Sequence, residues 1–249
     1  EETSKAIEAV ANYMGKEQGA KVLGVHMEGP FINVSKKGAQ PGEFVLAPSI
    51  EAFNEMVTGY KDAVKLITVA PEIEGMDDFI SYLTSQNITV SMGHTNANYD
   101  QAKHGFEAGI NHATHTFNAM NGFNHREPGG VGAIMEDDRV YAELILDGIH
   151  VHFASAKILL SQKGDDKLCL ITDSMEASGL PDGKYQLGGQ DVFVNNGEAR
   201  LADGTLAGSV LKLNQAVRNA YQKLKLPLYT AVKLASLNPA MSIKQNDIG

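Results

Sequence analysis

Four positions in this 249-residue chain carry side chains able to hold a divalent cation and to move a proton beside it. Glu28 ends an apolar run in the string His26-Met27-Glu28-Gly29-Pro30, and His94 follows another in Met92-Gly93-His94-Thr95. A third string, His112-Ala113-Thr114-His115, offers two histidines, and Asp173 closes the run 168–172. Two imidazoles and a carboxylate suit a borderline ion such as zinc and leave a coordination position for water. Such an ion lowers the pKa of water to about 7, so hydroxide exists at neutral pH. A further carboxylate outside the ligand set can then take the water's proton and deliver it to a leaving amine.

Each residue also has a plainer reading. Glu28 stands before Gly-Pro and serves equally as a turn residue. His94 reads as a hydrogen-bonded core histidine, although the preceding glycine speaks for close backbone approach. Spacing alone does not separate His112 from His115, and Asp173 can cap the turn after it. What carries weight is that all four stand at equivalent ends of separate apolar runs. His104, His125 and His152 fit solvated positions, whereas His150, in Asp147-Gly148-Ile149-His150, follows the run 141–146. Cys169 sits inside an apolar run and reads as a small core residue. Arg126 lies in the loop string His125-Arg126-Glu127-Pro128-Gly129; a surface ion pair is its plain role, a phosphate clamp its functional one.

The elements that must position these groups alternate in period. Apolar runs at 22–25, 64–70, 88–92, 110–115, 141–146 and 167–172 predict strands. Helical spacing fits 50–60, 76–85, 99–108 and 153–161, and an opening helix has Thr3 or Ser4 as its cap. Near-continuous apolar strands between helices predict a parallel sheet covered on both faces. Candidate groups at the C-terminal ends of many strands favour a TIM-type (β/α)8 barrel over a doubly wound sheet, for which no G-x-G-x-x-G follows a strand. The stretch 185–208, with Gly188-Gly189, Asn195-Asn196-Gly197 and Asp203-Gly204, breaks the rhythm and predicts a β-hairpin excursion. Helices at 210–224 and 228–235 then close a single partial barrel domain over 1–249.

Composition sets outer limits. A net charge of −9, from 21 basic and 30 acidic residues, argues against nucleic acid or an anionic membrane surface as partner. The apolar runs are far too short to span a bilayer. One cysteine leaves no intramolecular disulfide, which fits a reducing cytoplasm.

Taken together, His26-Met27-Glu28-Gly29-Pro30-Phe31, Gly93-His94-Thr95, Thr114-His115-Thr116-Phe117-Asn118-Ala119-Met120, Arg126-Glu127-Pro128-Gly129, Asp147-Gly148-Ile149-His150, Thr172-Asp173 and Thr205-Leu206-Ala207-Gly208-Ser209 resemble the N-acetylglucosamine-6-phosphate deacetylase family of the amidohydrolase superfamily. The resemblance runs in family order from residue 26 to about 240. It implies metal-dependent hydrolysis of an N-acetyl group. Glu28, His94 and His115 would hold one or two divalent ions, zinc or another such as iron, with Asp173 as acid/base. Asn118, Ala119 and Arg126 would hold the sugar phosphate, Arg126 reaching across a homodimer. Ala39 and Gln40, the segment Asp147, Gly148, Ile149 and His150, and Leu206, Ala207 and Gly208 would line the substrate, with His150 polarising the acetyl carbonyl.

This sequence has Gln40 where some members of the family carry histidine. The family's small β domain and two earlier barrel strands are also missing from it. The expectation is therefore a barrel open on one side, cut from a longer natural protein.

Overall fold

Five of the six apolar runs of the sequence form short strands, the run 22–25 is strand only from Val25 onward, and the amphipathic stretches between them form helices. The structure, a computed structural model, describes residues 2–248. Among these, α1 (Glu2–Tyr13) leads into β1 (Val25–Glu28), α2 (Ile50–Met56), β2 (Val64–Val69), α3 (Met76–Ser85), β3 (Thr89–Met92), α4 (Tyr99–Ala108) and β4 (His112–Ala113). The chain continues through α5 (Gly129–Glu136), β5 (Tyr141–Ile145), α6 (Phe153–Lys163) and β6 (Leu168–Ile171). After β6 come β7 (Gly183–Leu187), β8 (Gln190–Asn195) and β9 (Glu198–Leu201), then α7 (Leu213–Gln222), α8 (Leu228–Lys233) and α9 (Leu237–Ser242).

β1 to β6 form one parallel sheet in sequential order. Strands alternate their side chains between two faces. Ile67, Val69, Val90, Met92, Ala113, Ala142, Leu144, Leu168 and Leu170 share the outer face and are 0–2% exposed. Each large apolar side chain buried there contributes roughly 1.5–3 kcal/mol. His26, Thr68, Ser91, His112 and Glu143 occupy the inner face, so that face is polar. In a flat sheet the ends of β1 and β4 would stand about 14 Å apart. Glu28 and His115, at those two ends, hydrogen-bond at 2.7 Å. The sheet is therefore curled, as an open section of a TIM-type barrel. β1 and β6 are its edges, and the free edge of β6 is partly covered by α8 and α9: Leu170 N donates to Leu234 O at 2.7 Å, and Asn238 Nδ2 to Leu168 O at 2.7 Å.

Helix starts follow local capping chemistry. Ser49 accepts from Ala52 N at the head of α2, and Asn98 and Gln101 form a reciprocal capping box at the head of α4. Caps of this kind are worth about 1 kcal/mol each. Thr3 and Ser4 do not cap α1, since both lie inside it. Two helices escape the periodicity reading. α5 is built on Gly129, Gly130 and Gly132, which read as loop, yet burial of Val131, Ala133 and Ile134 makes it helical. α9 carries Pro239 within a short turn. Across 183–201 lies an antiparallel three-stranded sheet, β7–β8–β9, with its own small apolar cluster around Met175, Val192 and Ala207. No helix among the described residues is long and apolar enough to cross a membrane.

Candidate active site

Glu28 ends β1, His94 follows β3 and His115 follows β4, so the curl brings three strand ends to one point. Glu28 Oε1 lies 2.9 Å from His94 Nε2 and 2.7 Å from His115 Nε2, and the two ring nitrogens are 3.0 Å apart. His112, which spacing could not separate from His115, turns its Nδ1 to Ser91 Oγ on the barrel floor. The three donor atoms lie within 4.8 Å of one another and form a possible divalent-metal site. The donor chemistry fits such an ion. Lys36 O accepts the His94 Nδ1 proton at 2.8 Å, so that Nε2, across the ring, is the nitrogen turned to the cluster. Burial raises the Glu28 carboxyl, but hydrogen bonds from His115 and His94 bring it well below the usual carboxylate range. Burial likewise opposes charge on His115, yet the bond to Glu28 prevails and raises it to about 9. Protons here hold together a cluster that a divalent charge would hold more directly.

The backbone around this cluster is strained. His94, His115, Phe117, Ala119 and Asp173 have φ of +47°, +31°, +82°, +51° and +50°, a region costly for residues with a Cβ. Gly93 permits the approach of β3 to its neighbours: a Cβ there would stand 2.8 Å from both Thr114 Cβ and Thr68 Cγ2. Asp173 is pinned by Ser209 N, which donates to its carbonyl at 2.7 Å, and Gly208 (φ +59°) passes the same carbonyl too closely for a side chain. Glu72 ties the loops together, accepting from Asn33 Nδ2 (2.9 Å), Thr95 Oγ1 (2.5 Å) and Asn96 N (2.6 Å).

A cleft of about 680 Å³ opens above the cluster, within the range of small-ligand sites. Glu28, His94, His115, Asp173 and His150 line it, with Ala39, Gln40, Asn118, Ala119, Leu206 and Gly208. Burial and the Glu28 charge raise the Asp173 carboxyl to about 6. Asp147 does not line the cleft; it orients His150. Its Oδ2 takes the Nδ1 proton at 2.6 Å, while Oδ1 accepts Ile149 N and His150 N at 2.8 and 2.9 Å. Gly148 and Ile149 form that turn away from the cleft, and Ala207 is buried behind it. Arg126 stands apart: it is exposed, outside the cleft, and makes no ion pair among the described residues. His104 pairs with Asp77 on the surface, His125 is exposed, His152 caps α6, and Cys169 is buried in β6.

Sequence reading missed two ionisable groups. Arg200, on β9, lines the cleft and is held by Glu198 Oε2 and Gly204 O, both at 2.7 Å. Glu143 lies on the floor, where burial raises its carboxyl to about 8. Its signal was a lone acid inside the apolar run 141–146. Beside it, His26, Thr68, Thr114, Ser91 and His112 link into one hydrogen-bonded chain at 2.6–3.1 Å, running from β1 to β4 beneath the site.

A family model described as the amidohydrolase family matches residues 1–249. The chain belongs to the amidohydrolase family. Among its relatives, the N-acetylglucosamine-6-phosphate deacetylase of Bacillus subtilis (strain 168) is 45% identical over 201 residues, 81% of this chain and 51% of the relative. The N-acetylgalactosamine-6-phosphate deacetylase of Escherichia coli O157:H7 is 40% identical over 222 residues, 89% of this chain and 59% of the relative. The N-acetylglucosamine-6-phosphate deacetylase of Thermotoga maritima superposes with a TM-score of 0.91 at 33% identity, over 98% of this chain and 66% of that one. A mutant of the Mycobacterium smegmatis enzyme, in complex with N-acetyl-D-glucosamine-6-phosphate, gives 0.89 at 34% identity, over 97% of this chain and 63% of that one. This amidohydrolase chain thus spans about half to two-thirds of the length of the relatives it matches.

Proposed function

We propose that this amidohydrolase is the partial catalytic barrel, one domain over 1–249, of an N-acetylglucosamine-6-phosphate deacetylase. The observation that carries the reading is one cleft shared by Glu28, His94 and His115 with the separate acid Asp173 and with His150. The names of the relatives support the substrate.

Glu28, His94 and His115 would hold a divalent ion, zinc or a similar metal, one or two per subunit, which when bound would supply Lewis acidity and lower the pKa of water to about 7. Asp173 accepts a proton from the attacking water and delivers it to the amine nitrogen as the amide C–N bond breaks. Acetate and glucosamine 6-phosphate leave. His150, oriented by Asp147, faces the acetyl oxygen and polarises it. Asn118 and Ala119 bind the phosphate end of the sugar, Ala39 and Gln40 form one wall, and Leu206 and Gly208 the other, with Ala207 packed behind them. Arg126, exposed and outside its own cleft, reaches the phosphate in the cleft of a second copy, which implies a homodimer. We place the enzyme in the cytoplasm, in keeping with the single buried Cys169 and the anionic sugar substrate.

The test is acetate release from N-acetylglucosamine 6-phosphate by the full chain, with and without a strong chelator. Chelator-sensitive release, absent with the unphosphorylated sugar, is the expected result. Metal-replete protein that releases none would overturn the substrate and turn attention to cyclic amides and dipeptides. The E. coli relative's name adds a second reading, the galacto epimer, so both hexosamine phosphates belong in the assay.

A further inference from the structure

His94 and His115 are fixed by different means. The ring of His94 is set through its far nitrogen, which donates to Lys36 O. The corresponding nitrogen of His115, Nδ1, is buried and has no hydrogen-bond partner among the described residues. Metal-binding histidines are ordinarily oriented through that second nitrogen. For His115 the orientation has to come from elsewhere, and the backbone shows where.

In a straight strand, successive N–H groups point to opposite neighbours. At His115 the chain turns left-handed, with φ +31°, and two successive amides face one residue of β5. His115 N donates to Glu143 Oε2 at 3.2 Å, and Thr116 N donates to Glu143 O at 2.9 Å. The Glu143 side chain is only 6% exposed, and its other oxygen lies 3.8 Å from His112 Nδ1. A buried carboxyl is costly without partners. This one has a partner in the amide that leaves the strand ladder.

We infer that Glu143 is a positioning residue: its carboxyl holds the His115 backbone in the left-handed turn and thereby aims His115 Nε2 at Glu28 and His94. The inference rests on the metal-site reading above. It is separate from the proton transfer assigned to Asp173, because Glu143 lies on the floor beneath the cluster and does not line the cleft.

The experiment compares wild type, Glu143→Ala and Glu143→Gln in the full chain. Zinc affinity is measured by competition with a chromophoric chelator, and His115 amide exchange is followed by NMR in the metal-free protein. Circular dichroism checks that each variant is folded. Gln keeps an acceptor oxygen at the same reach, so it should retain His115 protection and bind zinc within about threefold of wild type. Ala should lose the protection and bind at least about tenfold more weakly, the loss typical of outer-sphere partners. A folded Ala variant with wild-type affinity and protection overturns the inference and leaves the metal site standing. So does a folded Gln variant as impaired as Ala, because the acceptor would then not be what matters. Wild-type protein that binds no zinc at all sinks the metal-site reading first, and this inference with it.

Discussion

Asp173 is held in a left-handed backbone conformation with its carboxyl beside the Glu28–His94–His115 cluster, though it belongs to neither of the imidazole bonds there. A group so placed can carry a proton without being needed to hold the ion. Asp173→Asn should therefore lower kcat by about 10²–10⁴-fold, while metal analysis finds the same zinc content as wild type. Loss of zinc together with turnover would make Asp173 a ligand instead. At this scale the sequence was informative wherever a polar residue ended an apolar run, as at Glu28, His94, His115 and Asp173. It was uninformative where the decisive fact is direction. His112 and His115 differ by three positions, and only the turn at His115 sends one ring to the cleft and the other to the floor. Arg200 stands in a stretch legible only as hairpin up to Leu206, and its facing toward the cleft depends on the pairing of β9 with β8.

Elements bring the loops to these residues. The β7–β9 sheet leans on the segment that orients His94. Gln190 Nε2 donates to Ala39 O, Ala39 packs against the small cluster around Met175, Val192 and Ala207, and the same segment supplies Lys36 O to the His94 ring. Gln190→Ala should raise KM by roughly 2–10-fold, equivalent to one hydrogen bond of about 0.5–1.5 kcal/mol. Steady-state kinetics would show it, and an unchanged KM would mean that the sheet braces nothing. A second bracing point joins α4 to the end of α5. Asp137 receives a bidentate pair from Arg139 (2.9 and 2.6 Å) and a bond from Lys103 (3.1 Å). Arg139 first, and Lys103 with it, holds the Asp137 carboxyl well below the usual range. Because the folded value is depressed, its contribution is fully present above the ordinary carboxylate value of about 3.9 and is lost as pH falls below it. Thermal melts across pH 2–6, a window of about four units bracketing that value, should show a shallower acid loss for Asp137→Asn than for wild type. Equal slopes would exclude this group. Helices α3 and α4 were legible to the residue because their apolar spacing holds over the whole of each helix. α5 was not, because its glycines are made helical by burial that the sequence does not display.

For the whole molecule, the parallel order and the polar strand ends were legible, since alternating periods leave few topologies. The curl was legible too, through the candidate groups standing at the C-terminal ends of many strands, which favoured a barrel over a doubly wound sheet, and the contact of Glu28 with His115 bears it out. Arg126 tests the assembly. Arg126→Ala should raise KM for the phosphorylated sugar and leave kcat near the wild-type value, because a remote contact acts on binding. If Arg126 serves the other subunit, co-expressing Arg126→Ala with Asp173→Asn should rescue activity. Hybrid dimers would carry one intact site each, giving about a quarter of wild-type sites under random pairing of a twofold dimer. Failure of any rescue would place Arg126 outside the shared site.

The run of left-handed, side-chain-bearing residues at His94, His115, Phe117, Ala119 and Asp173 bears on how such a protein can be made sturdier. A search for stabilising substitutions by backbone preference alone would choose these positions first and offer glycine at each. Three of those choices would remove the two imidazoles and the acid on which turnover is proposed to depend. Heat resistance and activity therefore compete at the same few positions, and useful thermal gains have to come from the surface helices and the β7–β9 turns instead.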